Sequence, residues 1–428
     1  MNILILGSGG REHAFAWKLA QSPLCDALFV APGNAGTAQV ATNLPISYNN
    51  FPEVADAIRD KKIDLVVVGP EEPLVKGIVD YLHKQTDLSD LRIVGPDAEG
   101  AQLEGSKDFS KQFMLRYGIP TATSQTFTVD TLQEGLSYLE NHALPIVIKA
   151  DGLAAGKGVI IAETVADAQA ALQDMLAGQA FGEAGSKVVV EQFLRGIELS
   201  VFVLADGTGY KILPEAKDYK RIGDGDKGPN TGGMGAVSPV VFANKSFLQK
   251  VEDKVVKPTL AGLQKEGIVY KGFIFIGLMK VNSEPYVIEY NARMGDPETE
   301  VVLPRIQSDF AELMMATAEG TLDSVAIQVS PQTAVTTMLV SGGYPAEYET
   351  GKLISDLERL DDVMAFHAGT LEKDGHVLTN GGRVLAITAQ ANSLENAVRK
   401  SQEAARIVQF DGKQYRKDIG LDLIRYSD

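Results

Sequence analysis

YVIEYNARMGDPETE, residues 286–300, is the stretch on which the reading of this chain turns. The apolar run Tyr286-Val287-Ile288 reads as a strand. Side chains two apart on a strand share a face and sit about 6.6 Å apart, so Glu289, Asn291 and Arg293 are expected to project together into the cleft the strand borders. Carboxylate and amide oxygens suit a hard, octahedral Mg2+, which takes one or two protein ligands and completes its shell with water and substrate phosphate. The guanidinium would meet the negative charge the metal leaves over. On a plain edge strand the same residues would merely be solvated, so the rest of the chain has to decide.

At 428 residues the chain is too long for one ordinary core, and its length predicts two to three domains. Hydrophobic residues at 45% and charged residues at 22% are values of a soluble globular protein. No apolar run approaches the length of a membrane span. The opening MNILILGSGG reads as a first strand rather than a secretory leader, so a cytoplasmic protein is expected. A single cysteine, Cys25, agrees with a reducing compartment and has no obvious base or metal partner. The net charge of −16 argues against nucleic-acid or membrane partners. Any bound phosphate must therefore be met by local clusters of charge.

Four short apolar runs, at 2–6, 28–31, 64–68 and 91–94, alternate with helical patterns such as 11–21 and 52–61, which predicts an open parallel α/β sheet in residues 1–103. A second unit, 104–328, opens with a helix at 107–117. Its strands at 146–149, 158–163 and 187–193 and its helix at 165–177 form a lid-sized piece within about 121–193. Clusters rich in Gly, Asp, Asn and Pro at 222–239 and 291–298 interrupt the longer strands that follow. Such long loops are uncommon unless functional or disordered. Residues 329–428 read as a smaller α+β unit with strands in TAVTTMLVSGGYP, FHAGT and GGRVLAITA and a helix at about 393–407. There is no internal repeat and no low-complexity tract.

Four motifs carry chemistry besides the opening stretch. Gly7-Ser8-Gly9-Gly10-Arg11-Glu12-His13 sits where the first strand turns into a helix, whose exposed N–H groups and positive end favour an anion, with Arg11 at hand. It departs from a dinucleotide fingerprint. The third glycine would fall at Glu12, and Ala31-Pro32-Gly33-Asn34 offers no acid for a ribose, so a phosphate monoester fits better than NAD. His13 reads as a packed or capping histidine. Next, Lys149 ends a strand and is followed by Asp151-Gly152-Leu153-Ala154-Ala155-Gly156-Lys157, a fixed cation before a glycine loop that can fold its N–H groups over nucleotide phosphates. Glu191-Gln192-Phe193-Leu194 then offers main-chain groups to a base edge, and Glu198 a carboxylate to ribose hydroxyls. Finally, DYKRIGDGDKGPNTGGMG at 218–235 reads as a loop that closes over small polar substrates.

Together these residues resemble the ATP-grasp superfamily and, within it, the phosphoribosylamine–glycine ligase (glycinamide ribonucleotide synthetase) family. GSGGREHA, APGNAGT, GPEEPLVKG, EGSK, IKADGLAAGKGV, DYKRIGDGDKGPNTGGMGAVSP, EYNARMGDPETE and TNGGRV look like that family's landmarks, in its order. Met294 departs from the Leu or Phe of the family pattern, a change that bears on pocket shape more than on chemistry. The resemblance implies an ATP-grasp fold with an N-terminal open sheet, a lid and a C-terminal α+β domain. It also implies that ATP, glycine and 5-phosphoribosylamine become ADP, phosphate and glycinamide ribonucleotide through glycyl phosphate.

Carried over residue by residue, the resemblance gives ATP to Lys107, Lys149, Gly152, Lys157, Glu191, Phe193, Leu194 and Glu198. It gives Mg2+ or Mn2+ to Glu289 and Asn291, and the transferring group to Arg293 with Lys149. Gly10, Arg11 and Asn34 would lie near the ribosylamine phosphate. Asp218, Arg221, Asn230, Arg293, Gly295 and Asp296 would lie near glycine or the amine. Arg383 in TNGGRV could also reach a substrate. A monomer is expected, with a transient contact to the enzyme that supplies phosphoribosylamine. The rival readings are another ATP-grasp carboxylate–amine ligase of purine metabolism, such as one acting on a later intermediate, and a nucleotide-responsive binding protein without turnover.

Overall fold

The computed structural model describes residues 1–153, 158–177 and 186–427. The N-terminal sheet is parallel, with strands in the order Thr42–Asn43, Ala27–Pro32, Asn2–Gly7, Leu65–Val68 and Arg92–Val94. Its strands Asn2–Gly7 and Leu65–Val68 are apolar on both faces because helices cover both. Ile3 and Ile5 face one core cluster, and Leu4 and Leu6 face another. The helix Gly10–Leu19 follows the first strand at once. Its Phe15 ring stacks between Phe273 at 5.7 Å and Phe310 at 5.9 Å, so this domain and the central one share a core.

The lid piece is a four-stranded antiparallel sheet in the order Ser124–Thr128, Lys187–Gln192, Ile146–Ala150 and Val159–Ala162. One face carries Phe127, Ile146, Ile148, Val188 and Val190 onto the helices Leu132–Glu140 and Val165–Ala177, closing a small core of its own. The other face is free to carry charge towards the cleft.

The third sheet is long and antiparallel. It runs Glu284–Asn291, Lys271–Val281, Ile197–Asp206, Tyr210–Asp218, Gly235–Ser238, Thr333–Val340, Arg383–Ala391 and Met364–His367. Residues from the C-terminal third thus extend the sheet that bears Glu289 and Asn291, through the pairing of Gly235–Ser238 with Thr333–Val340. Met294, the departure noted above, is fully buried in the shared core. Among the described residues no helix is long and apolar enough to cross a membrane.

Candidate active site

Lys149 lies near the end of strand Ile146–Ala150, and Glu191 lies on the neighbouring strand, where it pairs with Val147. Their side chains meet with Lys149 Nζ 3.0 Å from Glu191 Oε2, and Lys149 Nζ also donates to the Ile288 carbonyl at 3.4 Å. Lys111 Nζ approaches Glu191 Oε1 from the other side at 3.4 Å and donates to Thr121 Oγ1 at 2.7 Å. Burial draws the Lys111 ammonium down to about 8, with Lys149 reinforcing and Glu191 opposing. One buried carboxylate therefore organises two ammonium groups, and Lys111 falls one helical turn after Lys107. That i,i+4 spacing was the available signal for a residue the sequence reading passed over.

Lys107 opens helix Lys107–Arg116, whose cap is Ser106, and Lys107 Nζ donates to the Gly152 carbonyl at 2.8 Å. Ser106 Oγ donates to Asp151 at 3.1 Å, so the start of the glycine loop is tied to the helix start. Burial lowers Lys107, against the pull of Glu289 and with the push of Lys149. Lys157 lies outside the described residues. Past the lid strand, Phe193 and Leu194 are half-buried, and the Arg195 guanidinium sits 5.5 Å from the centre of the Phe193 ring.

The expected trio at 289–293 resolves into a pair and a separate arginine. Asn291 is the last residue of strand Glu284–Asn291, and a register irregularity opposite Gly277–Leu278 precedes it. Arg293 lies beyond the strand, so it does not inherit the strand's alternation. Its guanidinium reaches Glu104 Oε1 at 2.7 Å and Glu71 Oε2 at 3.1 Å. Burial pulls Arg293 down, but Glu104 and Glu71 outweigh it and raise it. Glu71 and Glu104 begin and end segments far away in sequence, and no local pattern linked them to Arg293.

Asn291 is 9% exposed, and its Nδ2 is buried without a hydrogen-bond partner. Glu289 acts electrostatically on both Lys107 and Lys220. The Glu289 carboxylate and the Asn291 amide oxygen are hard oxygen donors, a set whose chemistry fits Mg2+ or Mn2+. Among the described residues no group of three or more His, Cys, Asp or Glu could hold a metal ion. A metal here would therefore have to draw the rest of its shell from water and nucleotide oxygens.

Asp218 ends strand Tyr210–Asp218, and Lys220 Nζ binds Glu198 Oε2 at 2.7 Å with both side chains roughly half exposed. Asp218 is raised by burial first, with Lys220 opposing and Glu198 reinforcing. Glu298, 4% exposed, is pushed up to about 8 by burial and then by Asp218. The 218–235 loop is more regular than expected. Arg221–Gly223 pairs with Lys227–Asn230 in a two-stranded ribbon, with Arg221 opposite Asn230 and Arg221 Nη1 donating to the Gly228 carbonyl at 2.8 Å.

At the first helix start the sequence reading offered an anion site. In the structure the protein supplies the anions itself. Glu12 accepts from Gly9 N at 2.6 Å, and Asp296 Oδ2 accepts from Arg11 N at 3.2 Å. Arg11 donates to Glu12 Oε1 at 2.6 Å and to the Met294 carbonyl at 3.0 Å. Arg11 is raised: burial opposes, but Glu12, Glu71 and Asp296 outweigh it. A Cβ at Gly10 would displace Glu300 Oε1, and a Cβ at Gly295 would displace the Glu298 carboxylate. Glu300 is fully buried with both carboxylate oxygens lacking a hydrogen-bond partner, and burial followed by Asp296 raises it strongly.

Arg383 closes this side. It donates to the Gly232 carbonyl at 2.8 Å and the Asp296 carbonyl at 2.7 Å, and pairs with Asp296 Oδ1 at 3.1 Å. Asn34 is spent on main chain: its amide donates to the Ser8 and His367 carbonyls, each at 2.8 Å, and its oxygen accepts from Gly36 N and Thr37 N. His13 is buried, accepts from His367 N at 2.7 Å through Nδ1, and is lowered to about 3 by burial and then His367. It packs the joint between the first helix and the C-terminal sheet.

A parallel N-terminal sheet, an antiparallel lid carrying Lys149 and Glu191, and a central sheet presenting Glu289 and Asn291 define an ATP-grasp enzyme. Comparison with known proteins places it further. Residues 1–104, 105–299 and 334–422 match, in order, the N, ATP-grasp (A) and C domains of phosphoribosylglycinamide synthetase. The phosphoribosylamine–glycine ligase of Pseudomonas aeruginosa is 48% identical over 429 residues, covering 99% of this chain and 98% of that one. The Haemophilus influenzae phosphoribosylamine–glycine ligase is 47% identical over 425 residues, covering 98% of each.

The crystal structure of phosphoribosylamine–glycine ligase from Thermotoga maritima superposes with a TM-score of 0.86 at 38% identity, covering 98% of this chain and 100% of that one. A biotin carboxylase from Campylobacter jejuni shares the fold alone, at 17% identity and a TM-score of 0.74, over 99% of this chain and 95% of that one. The chain belongs to the phosphoribosylglycinamide synthetase family of ATP-grasp ligases, and with that family goes the use of ATP.

Proposed function

We infer that the protein joins glycine to 5-phosphoribosylamine at the expense of ATP, giving glycinamide ribonucleotide, ADP and phosphate in purine biosynthesis. The observation that carries this reading is one connected field of charge. Glu289 favours the charged forms of Lys107 and Lys220, Lys220 favours those of Asp218 and Glu298, Arg293 favours that of Glu298, and Glu298 favours that of Arg383. In this reading the phosphate-gripping end and the amine-accepting end belong to one cleft.

In the first step a glycine carboxylate oxygen attacks the γ-phosphorus, the bond to the β-phosphate oxygen breaks, and ADP leaves. In the second the ribosylamine nitrogen attacks the carbonyl carbon of glycyl phosphate, loses a proton, and expels phosphate. Both steps need charge neutralisation rather than a side-chain nucleophile. Lys107 and Lys149 hold phosphate oxygens, with Lys149 exchanging Glu191 for substrate. Gly152, Lys157, Phe193 and Leu194 enclose the nucleotide, with Glu191 at the hinge and Glu198 on the ribose. A divalent ion, Mg2+ or Mn2+, held by Glu289 and Asn291, would neutralise the phosphate oxygens.

Arg293, oriented by two carboxylates, meets the transferring group. Asp218, Arg221, Asn230, Gly295 and Asp296 lie on the glycine and amine side, with Gly10, Arg11 and Asn34 nearer the ribose phosphate. Glu298, with its raised affinity for a proton, is suited to receive the one the amine loses. An acyl phosphate must be kept from water, and the lid around 152 and the ribbon at 221–230 are the parts that can exclude it.

In this reading the chain divides at 1–103, 104–328 with the lid at about 121–193, and 329–428. It works as a cytoplasmic monomer, taking unstable phosphoribosylamine by transient contact with the enzyme that makes it. ADP release from the purified protein with ATP and Mg2+ tests the reaction. Release should require glycine and freshly made phosphoribosylamine together. If glycine can be omitted, or if another acid replaces it freely, the alternative of a different ATP-grasp carboxylate–amine ligase takes its place.

A further inference from the structure

We propose that Arg416 is a positioning residue that sets the substrate ribbon at 221–230 over the cleft, a role that rests on the reading above of where glycine and the amine bind. The ribbon belongs to no larger sheet, and its second strand Lys227–Asn230 is exposed at every residue. An isolated two-stranded ribbon is marginal in water, so something else must fix it. Arg416 is 1% exposed, although it lies close to the C-terminal end of the chain. Burying a guanidinium that far is costly unless its donors find partners.

Four of the five N–H donors are used, two on the ribbon itself and two on Asp418, which holds the ribbon in turn. Arg416 Nε and Nη2 bind Asp418 Oδ1 and Oδ2, each at 2.8 Å, in a fork. Arg416 Nη1 donates to Asp226 Oδ1 at 2.7 Å and to the Arg221 carbonyl at 3.1 Å, spanning the ribbon from its first strand to its turn. Asp418 Oδ2 in turn accepts from Gly225 N at 2.8 Å, and Lys417 N donates to Asp224 Oδ1 at 2.8 Å. The guanidinium carbon lies 5.2 Å from the centre of the Tyr219 ring, at the base of the ribbon. Residues 416–418 therefore hold 224–226 at three points.

The consequence falls on Lys220, which is continuous with the ribbon: Thr231 N donates to the Lys220 carbonyl at 2.7 Å. Lys220 is the cation between Glu198, Asp218 and Glu289, so the angle at which the ribbon is held sets where that charge lies. A planar fork with directed donors can do this, and the single ammonium of a lysine cannot bridge the same four acceptors.

The test compares wild type with Arg416→Lys and with Asp226→Ala. The Asp226 side chain is 65% exposed, so its removal threatens the fold little. Amide hydrogen exchange at 222–230 should rise in both variants while the Lys149 strand and the N-terminal sheet stay protected. The KM for glycine or for phosphoribosylamine should rise about tenfold, the scale expected from a misplaced substrate group, with the KM for ATP changed far less. Unchanged exchange at 222–230 in both variants overturns the proposal. So does an equal loss across all three substrates with increased exchange throughout, which would mark a purely structural role. If exchange rises locally but wild-type ADP release does not need glycine, the clamp stands and the assigned reaction falls.

Discussion

The lid side of the cleft and the side facing the first helix bind charge in opposite ways. At Lys149, Glu191 and Lys111 the ion pairs are simple, lie on regular strands and a helix, and leave lysines that can trade a protein carboxylate for a phosphate. At Arg11, Asp296, Glu298, Glu300 and Arg383 the charges come from element ends and a turn distant in sequence, bury one another, and leave Glu298 and Glu300 raised above their ordinary range. The first arrangement suits a ligand that brings many negative charges. The second suits an acceptor that must be oriented and must lose a proton. One cleft thus contains a cationic grip and an acidic, proton-retentive pocket, joined at Lys220 and Glu289.

Removing the carboxylate proposed to hold the metal should have the largest effect. Glu289→Gln is expected to lower turnover about 10²- to 10³-fold, the scale seen when one charge-stabilising group is lost, while circular dichroism and thermal unfolding stay close to wild type. Near wild-type turnover at ordinary Mg2+ would take Glu289 out of the site. Arg383→Ala attacks the other side, because it frees Gly232 and Asp296 together. It should raise the KM for phosphoribosylamine or glycine about tenfold and leave ATP binding nearly unchanged. If ATP affinity fell equally, the two sides would not be separable.

The smallest effect tests the raised acids. Glu298 has a folded-state value above its unfolded one, so the stability it contributes is fully present below the usual carboxylate range. That stability is lost as pH rises through about 8. Wild type should therefore unfold at lower temperature at pH 8.5 than at pH 5. Glu298→Gln should narrow that gap by about 2 °C, measured by scanning calorimetry. The gap should not vanish, since Asp218 and Glu300 are shifted in the same direction. A gap unchanged in the variant would mean that Glu298 is ionised in the folded protein like an ordinary carboxylate.

The same contrast explains what could be read from the sequence. The strands at 2–6, 28–31, 64–68 and 91–94 are found as Asn2–Gly7, Ala27–Pro32, Leu65–Val68 and Arg92–Val94, because buried parallel strands announce themselves as apolar runs. That Lys149 and Glu191 sit near strand ends was legible for a related reason, since each follows an apolar run. Arg293 was expected to follow the alternation of its strand, but the strand stops at Asn291 and the arginine answers Glu71 and Glu104 instead. Glu298 and Glu300 lay inside the quoted stretch, but nothing local says that these two acids will be buried beside a glycine helix start. The ribbon at 221–230 looked like a loop because its hold on Arg416 spans nearly two hundred residues of chain.

The central claim is that glycine is activated as an acyl phosphate in this cleft. Glycine labelled with oxygen-18 in its carboxylate, supplied with ATP, Mg2+ and phosphoribosylamine, tests it directly. The account predicts that each phosphate released carries one labelled oxygen, because the oxygen that takes the γ-phosphoryl group leaves with it when the amide forms. Phosphate free of label, with the carboxylate oxygen displaced at amide formation released to water instead, would contradict it.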